Sequence, residues 1–279
     1  MAITTSQHPV FREFHARAEA DGAGYYVNFL GQKADIAFGI EEGASAEPPP
    51  VDEESFEWIA MLEAVLEARE TFTMFELGAG FGRWLVAAVC AARQKHPGMR
   101  FELVGVEPEP THFTWMKQHF VDNGLNPREH TLLEAVVNGT GEPAHFVIGY
   151  PREWYGQAIV PEGYREAAHP HAGTIRLPAV RLIDLLKSHR YVDLIDMDIQ
   201  GAEEEVVSSS IGAMSEKARR AYVSTHSAQI HEAVAHHFQD AGWKLATAHG
   251  WTGAEEETVF GPVTFGDGIQ YWLNPHVKR

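Results

Sequence analysis

Residues 72 to 82 read Phe72-Thr73-Met74-Phe75-Glu76-Leu77-Gly78-Ala79-Gly80-Phe81-Gly82. The first six form a mostly apolar run that predicts a buried β-strand, and the apolar residues after the turn predict a helix to about Lys95. The three glycines stand at alternate positions and have no side chain. They therefore permit a tight turn and let a ligand lie against the backbone. The stretch predicts a strand, a ligand-binding turn and a helix.

Strands and helices alternate along the rest of the chain. The predicted strands cover residues 72–77, 101–107, 131–137, 191–198, 221–225, 243–248 and 269–273. The other predicted helices cover residues 53–69, 111–123, 182–188, 202–209 and 229–241. This alternation is typical of an α/β protein with a Rossmann-like, doubly wound, mostly parallel seven-stranded sheet and an antiparallel C-terminal strand. In such a sheet, ligands bind beyond the carboxyl ends of the strands.

The clearest boundary is Gly43-Ala44-Ser45-Ala46-Glu47-Pro48-Pro49-Pro50, because three prolines cannot continue a helix or a central strand. It separates a small N-terminal helical cap or lid, residues 1–50, from a ligand-binding domain, residues 51–279. The cap has a predicted helix from Pro9 to Ala20 and is too short to hold a core of its own. Residues 139–178 are rich in Gly, Pro, His and aromatics and are interpreted as an irregular insertion near the substrate.

The composition limits the classes of partner. The chain has 279 residues, a formal net charge of -17 and a pI near 5.3, with no concentrated basic patch. Nucleic acid and anionic membrane surfaces are therefore unfavourable partners, and a small molecule is expected. The single cysteine, Cys90, lies in an apolar helical stretch and predicts a buried thiol. Because no secretory signal or membrane-spanning run is present, we expect a cytoplasmic protein; the sequence leaves a homo-oligomer open.

A carboxylate stands where the second strand of the fold ends, in Val104-Gly105-Val106-Glu107-Pro108. Glu107 should face the glycine turn and accept hydrogen bonds from the two hydroxyls of a ribose. The dinucleotide fingerprint would need a glycine at position 83, where Arg83 stands, so the spacing argues against NAD or FAD. The alternative to ligand binding is that the glycines form only a tight turn and that Glu107 only caps a helix.

The glycine turn and Glu107 resemble the corresponding motifs of class I S-adenosylmethionine-dependent methyltransferases. The resemblance implies that S-adenosylmethionine binds along Gly78 to Gly82, with Glu76 near its methionine moiety and Glu107-Pro108 at its ribose. It also implies that the end of the third strand, with Glu134 and Ala135, lines the adenine.

A second stretch narrows the resemblance. Thr174 to Leu186, followed by Asp193-Leu194-Ile195-Asp196-Met197-Asp198-Ile199-Gln200-Gly201-Ala202-Glu203, is similar to the FkbM methyltransferase family. That family usually reads Asp-Leu-Ile-Lys-Ile-Asp-Ile-Glu-Gly-Ala-Glu here. The chain therefore has Asp196 in place of a lysine and Gln200 in place of a glutamate. The resemblance implies O-methylation of a hydroxyl on a sugar, a polyketide or another natural product.

A hydroxyl acceptor needs a base or a metal ion within reach, because a free alcohol is a poor nucleophile. Asp198 closes the fourth strand and His226 closes the fifth, so both should reach one rim beside the cofactor's methyl group. Either His226 is the general base and Asp198 orients it or the substrate, or Asp196, Asp198 and His226 hold a divalent cation. The histidine base is favoured because few hard ligands can be named.

Aromatic residues flank this rim: Tyr25, Tyr26, Phe29, Trp154 and Tyr155. They form a lid over the acceptor or anchor their segments by packing, and packing is the simpler interpretation. Two other functions stay open. One is a non-catalytic module that binds S-adenosylmethionine, and the other, disfavoured by Arg83, is an NAD-dependent oxidoreductase.

Overall fold

The computed structural model describes residues 2–15, 24–153, 155–250, 253 and 255–277. The strands are β1 (Tyr25–Val27), β2 (Lys33–Asp35), β3 (Gly43–Ala44), β4 (Thr71–Leu77), β5 (Arg100–Val106), β6 (Thr131–Leu133), β7 (Val136–Val137), β8 (Ala144–Ile148), β9 (Ile159–Val160), β10 (Gly173–Leu177), β11 (Ala179–Val180), β12 (Leu194–Met197), β13 (Arg220–Thr225), β14 (Lys244–His249), β15 (Glu255–Thr258), β16 (Gly261–Thr264) and β17 (Gly268–Leu273). The helices are α1 (Pro9–Arg12), α2 (Ser55–Glu67), α3 (Arg83–Lys95), α4 (Pro110–Asp122), α5 (Leu182–Lys187), α6 (Glu203–Lys217) and α7 (Ala228–Asp240).

A seven-stranded sheet forms the centre, in the order β14-β17-β13-β12-β4-β5-β6. The pairs from β13 to β6 are parallel, and β17 lies antiparallel between β13 and β14. This arrangement confirms the predicted fold class. The carboxyl ends of β4, β5, β12 and β13 meet at one edge, so the residues that follow each of these strands are brought together.

Both faces of the sheet are covered, which explains why the central strands are apolar on both sides. One core contains side chains of α2, α3 and α4, among them Met61, Leu85 and Phe120. The opposite core contains side chains of α5, α6 and α7, among them Leu182 and Phe238. Cys90 is buried, as the sequence predicts.

The N-terminal residues pack against the main core through Phe11, Phe29 and Leu30. Their helix α1 ends at Arg12, and residues 13–15 are not helical, because the amides of Glu13 and Phe14 close only turns. The rest of the predicted helix to Ala20 lies outside the described residues. Besides helical turns, this region contains a three-stranded sheet, β2-β1-β3, which the sequence did not indicate.

The segment 139–178 was interpreted as irregular, and this is wrong in part. Strands β10, β8 and β9 form an antiparallel sheet whose buried side chains, such as Phe146 and Leu177, make a small core of their own. The predicted strand 131–137 is also divided in two. Its second part, β7, leaves the main sheet and pairs with β11. Among the described residues, no helix has the length and apolarity to cross a membrane.

Candidate active site

A cavity of about 540 Å³ opens at the carboxyl ends of β4, β5 and β12. Its floor contains the chain from Glu76 to Phe81 together with Glu107, Pro108 and Asp198. One wall is formed by Ala135, Val136 and Phe146, and the roof comes from the N-terminal residues and Tyr155. The predicted site residues from Gly78 to Phe81, and Glu107 and Pro108 after β5, therefore surround one space. This space combines an apolar wall with polar and acidic side chains that could orient a small molecule.

The glycine turn has a backbone that other residues adopt only at a cost. Gly78, Gly80 and Gly82 have φ angles of +83°, +52° and +71°. A Cβ atom on Gly78 would overlap the backbone carbonyl of Asp198, so the turn of β4 and the loop after β12 fit against each other only because Gly78 lacks a side chain. The amides of Gly78 and Ala79 both donate to the carbonyl of Val106.

Glu107 is buried and holds the turn from the next strand. Its Oε2 accepts a hydrogen bond from the amide of Gly80 (2.6 Å), and its Oε1 accepts one from the amide of Glu109 (2.7 Å). Burial raises the pKa of Glu107, while His112, 3.8 Å from Oε1, opposes that shift. Each carboxylate oxygen can accept a second hydrogen bond, so both remain able to accept ligand hydroxyls.

Glu76 also lines the cavity, but its carboxylate is used inside the protein. Its oxygens accept hydrogen bonds from the amides of Trp84 (3.3 Å) and Leu85 (2.9 Å) at the start of α3. A carboxylate at a helix N-terminus is stabilised by the unpaired amides and the helix dipole. Burial nevertheless raises the pKa of Glu76 well above its ordinary value, and the charge of Asp196 adds to this shift.

Two predicted cofactor residues do not line the cavity. Glu134 is exposed beyond the end of β6, whereas its neighbour Ala135 is buried in the wall. Gly82 packs beneath the turn, where a Cβ atom would lie 2.9 Å from Met116 of α4. Close packing of α3 against α4, rather than contact with a ligand, explains the glycine at position 82.

Aromatic rings close the cavity from above. Tyr155 stacks on His112, with ring centroids 4.2 Å apart, and its hydroxyl donates to the carbonyl of Phe38 (2.7 Å). Phe38 in turn stacks on Phe81 at 5.0 Å. Tyr155 thus joins the 139–178 segment to the N-terminal residues directly over the glycine turn. Tyr26 and Phe29 also line the cavity, whereas Trp154 lies outside the described residues.

The predicted pair Asp198 and His226 comes together. His226 Nε2 lies 3.3 Å from Asp198 Oδ1 and 3.7 Å from Asp267 Oδ1, and Nδ1 is 2.8 Å from Glu203 Oε1. Burial alone would lower the pKa of His226, but Asp198 and Glu203 raise it to about 10. Asp198 lines the cavity and its side chain is 44% exposed, whereas His226 stands behind it, outside the lining.

The proposed cation ligands separate into two groups. Asp198, Glu203 and His226 have ligand atoms within 4.8 Å of one another. Both oxygens of Glu203, however, accept the amide of Gly201 (3.0 and 3.1 Å), and Oε1 also binds His226. The carboxylate is therefore already satisfied by the protein, and the set fits a cation poorly.

Asp196, the third predicted cation ligand, is not part of that set. It lies beside Glu76 on the neighbouring strand, and it lines the cavity together with Glu57 of α2, close enough for the two to shift each other's pKa. Burial raises the pKa of Asp196 to about 7 and that of Glu57 well above its ordinary value. Glu57 has no distinguishing signal in the sequence, because its place in the cavity lining depends on how α2 packs. Glu203, in contrast, stands in the quoted Gly-Ala-Glu run and could have been named.

Comparison with known proteins identifies the family. Residues 76–249 match the model of the methyltransferase FkbM domain. A protein named "Putative methyltransferase" from Jannaschia sp. (strain CCS1) is 27% identical over 245 residues, which cover 84% of this chain and 87% of that protein.

Solved structures with a similar arrangement include the methyltransferase FkbM from Methylobacillus flagellatus KT, with a TM-score of 0.47 and 12% identity, covering 80% of this chain and 55% of that one. Another is the precorrin-6y C5,15-methyltransferase from Geobacter metallireducens GS-15, with a TM-score of 0.43 and 9% identity, covering 80% of this chain and 89% of that one. The family assignment rests on the domain match, which spans more than half of the sequence. The protein therefore belongs to the FkbM methyltransferase domain family.

Proposed function

We propose that the protein transfers the methyl group of S-adenosylmethionine to a hydroxyl oxygen of a small molecule. Membership of the FkbM family supports methyl transfer from this donor. The hydroxyl acceptor is supported by one observation above all. Asp198, a half-exposed carboxylate, faces the cavity and is held 3.3 Å from the protonated His226.

The described residues fit a nucleoside joined to an amino acid. Glu107 would bind the ribose hydroxyls, and Pro108, Ala135 and Val136 would contact the adenine from the apolar wall. The open backbone of Gly78 to Gly80 would lie along the remainder of the molecule. When bound, S-adenosylmethionine supplies an electrophilic methyl group attached to a positively charged sulfur.

The other steps of the reaction are carried out by residues of the protein. Methyl transfer is an in-line displacement, so the protein must align the acceptor oxygen and remove its proton. Asp198 touches the cavity and accepts that proton. His226, whose pKa is about 10, is already protonated at neutral pH and cannot accept a proton there. It acts as a positioning residue whose positive charge lies 3.3 Å from Asp198, while Gln200 donates a hydrogen bond to Asp198 Oδ1 (2.8 Å). This reverses the roles that the sequence favoured.

The proposal is tested by incubating the purified protein with methyl-labelled S-adenosylmethionine and a panel of hydroxylated small molecules, each beside its O-methylated counterpart. We expect label only on acceptors with a free hydroxyl. Asp198→Asn should lower kcat by about 10²–10⁴-fold while S-adenosylhomocysteine still binds, because general-base catalysis contributes that range. Binding of S-adenosylhomocysteine without transfer to any hydroxyl would favour a non-catalytic module. Full activity after removal of metal ions would exclude a divalent cation.

A further inference from the structure

One part of the cavity, between α2 and the end of β12, is lined by the half-buried carboxyl group of Glu57 and the buried carboxyl group of Asp196. Glu57, Glu76 and Asp196 all line the cavity, and Glu76 is the register partner of Asp196 on β4. Glu57 and Asp196 lie close enough for each to shift the pKa of the other. Asp196 is only 3% exposed, and its Oδ1 has no hydrogen-bond partner among the described residues. A buried polar atom without a partner destabilises the protein, so a hydrogen-bond donor that enters the cavity would gain from binding this oxygen.

The charge around this part of the cavity favours a cation. Seven acidic side chains line the cavity: Glu47, Glu54, Glu57, Glu76, Glu107, Asp196 and Asp198. Among the described residues, Arg83 is the single Lys or Arg side chain that lines it. Both terminal nitrogens of Arg83 donate to Glu54, at 2.7 Å each. The hydrogen-bonding nitrogens of the guanidinium are therefore used by Glu54, although its charge is also felt by Glu57.

The methionine end of the cofactor is a poor occupant of this part of the cavity. It carries a carboxylate next to its ammonium group, and the carboxylate would need a free cation or free amides. Arg83 is bound to Glu54, and the first-turn amides of α3 are bound to Glu76. A carboxylate placed there would have no free cation or amide to bind, which is costly for a buried charge. An ammonium group with no adjacent anion does not have this cost.

We propose that Glu57 and Asp196 bind a positively charged amino group of the acceptor, so that the substrate is a hydroxylated amine. This inference rests on the proposed methyl transfer, since it names the acceptor of that same site. Asp196 stands where the FkbM run usually has a lysine, so this chain has reversed the charge at this position. The Asp196→Lys variant tests this site directly, because its side-chain ammonium group would occupy the position where the amine of the acceptor would bind.

The test measures binding by calorimetry to protein saturated with S-adenosylhomocysteine. The probes are two matched pairs: tyramine with 4-ethylphenol, and glucosamine with glucose. In at least one pair, we expect the amine to bind about tenfold or more tightly than its neutral counterpart, as expected for a charge-assisted hydrogen bond. Glu57→Gln, Asp196→Asn and Asp196→Lys should each abolish that preference. Glu70→Gln, an exposed carboxylate before β4, should keep it.

Two results would overturn the inference. The first is equal binding of amine and neutral compound in both pairs. The second is a loss of S-adenosylhomocysteine affinity in Glu57→Gln and Asp196→Asn, which would assign the carboxyl pair to the cofactor. Thermal unfolding of each variant shows whether it is folded. If the proposed methyl transfer is wrong but the amine site is real, the result will differ. The protein will still bind the amine more tightly than its neutral counterpart, but no methyl label will be transferred.

Discussion

The carboxylate of Glu107 accepts a hydrogen bond from the amide of Gly80 across a distance of 2.6 Å. This bond joins the end of β5 to the middle of the glycine turn after β4. Because the same carboxylate lines the cavity, it both fixes the backbone of the turn and faces the space where a ribose would lie. One residue therefore couples the shape of the turn to recognition of the ligand.

Glu107→Gln should weaken S-adenosylhomocysteine binding without unfolding the protein. The amide keeps one acceptor for Gly80 but loses the charge and the second acceptor. Hydrogen bonds to charged groups contribute about 1.5–3 kcal/mol, so the Kd measured by calorimetry should rise by roughly ten- to a hundred-fold. Glu102→Gln, an exposed position on the same strand, is the control and should leave the Kd unchanged. An unaltered Kd in Glu107→Gln would remove Glu107 from the ribose site.

Gly78→Ala should destabilise the protein and disturb Asp198. The new methyl group would overlap the carbonyl of Asp198, which is backbone and cannot rotate away. Gly124→Ala is a matched control, because Gly124 also has a positive φ, +69°, but has open space around it. The control should cost about 1–2 kcal/mol, the penalty of a left-handed residue with a side chain. Urea unfolding should give a clearly larger loss for Gly78→Ala; equal losses would mean that the close approach is unimportant.

The sequence predicted the central fold because its strands and glycine turn have short-range signals. The predictions from sequence are wrong where tertiary packing determines the end of a helix or strand. Helix α6 was expected to end at Ser209, and serine is a weaker helix former than alanine or leucine. It continues to Lys217 because Ser209 donates its hydroxyl back to Glu205 and Met214 is buried in the core.

The site residues also divide into those with a short-range sequence signal and those placed by tertiary packing. Asp198 and His226 could be paired from sequence, since adjacent parallel strands bring their ends to one edge. Glu57 could not be, because nothing in a helix pattern tells which buried strand one polar residue will face. His226 was identified, but its charge depends on Asp198 and Glu203, and the part of Glu203 in this contact was not foreseen. The role of His226 could therefore be assigned only when the positions of the surrounding carboxylates were known.

Tyr155→Phe should make ligand exchange faster while leaving stability nearly unchanged. The substitution keeps the ring stacked on His112 but removes the hydrogen bond to the carbonyl of Phe38. Loss of a hydrogen bond of about 1 kcal/mol should raise the dissociation rate of S-adenosylhomocysteine by roughly five-fold in stopped-flow measurements. Tyr164→Phe removes a hydroxyl that binds the exposed Glu166, away from the cavity lining, and should have no effect. If both variants behave alike, Tyr155 does not hold the roof closed.

His226 should make the protein less stable as the pH rises from neutrality to about 10. Its pKa is raised from 6.5 to about 10 in the folded protein by Asp198 and Glu203, so the folded state keeps a proton that the unfolded chain releases. The stabilisation is fully present below pH 6.5 and is lost as the pH rises through the folded-state pKa. At about 1.4 kcal/mol for each unit, it amounts to a few kcal/mol at most.

Urea unfolding at pH 6 and pH 9.5 checks this expectation. The wild type should lose stability between the two values, and His226→Gln should lose much less, so the difference between them narrows at high pH. His236→Gln, an exposed histidine on α7, should follow the wild type. A wild-type curve that is level or rises over this interval would show that the three carboxylates do not hold His226 as a cation. Asp198 would then lack the charged neighbour that the proposed mechanism gives it.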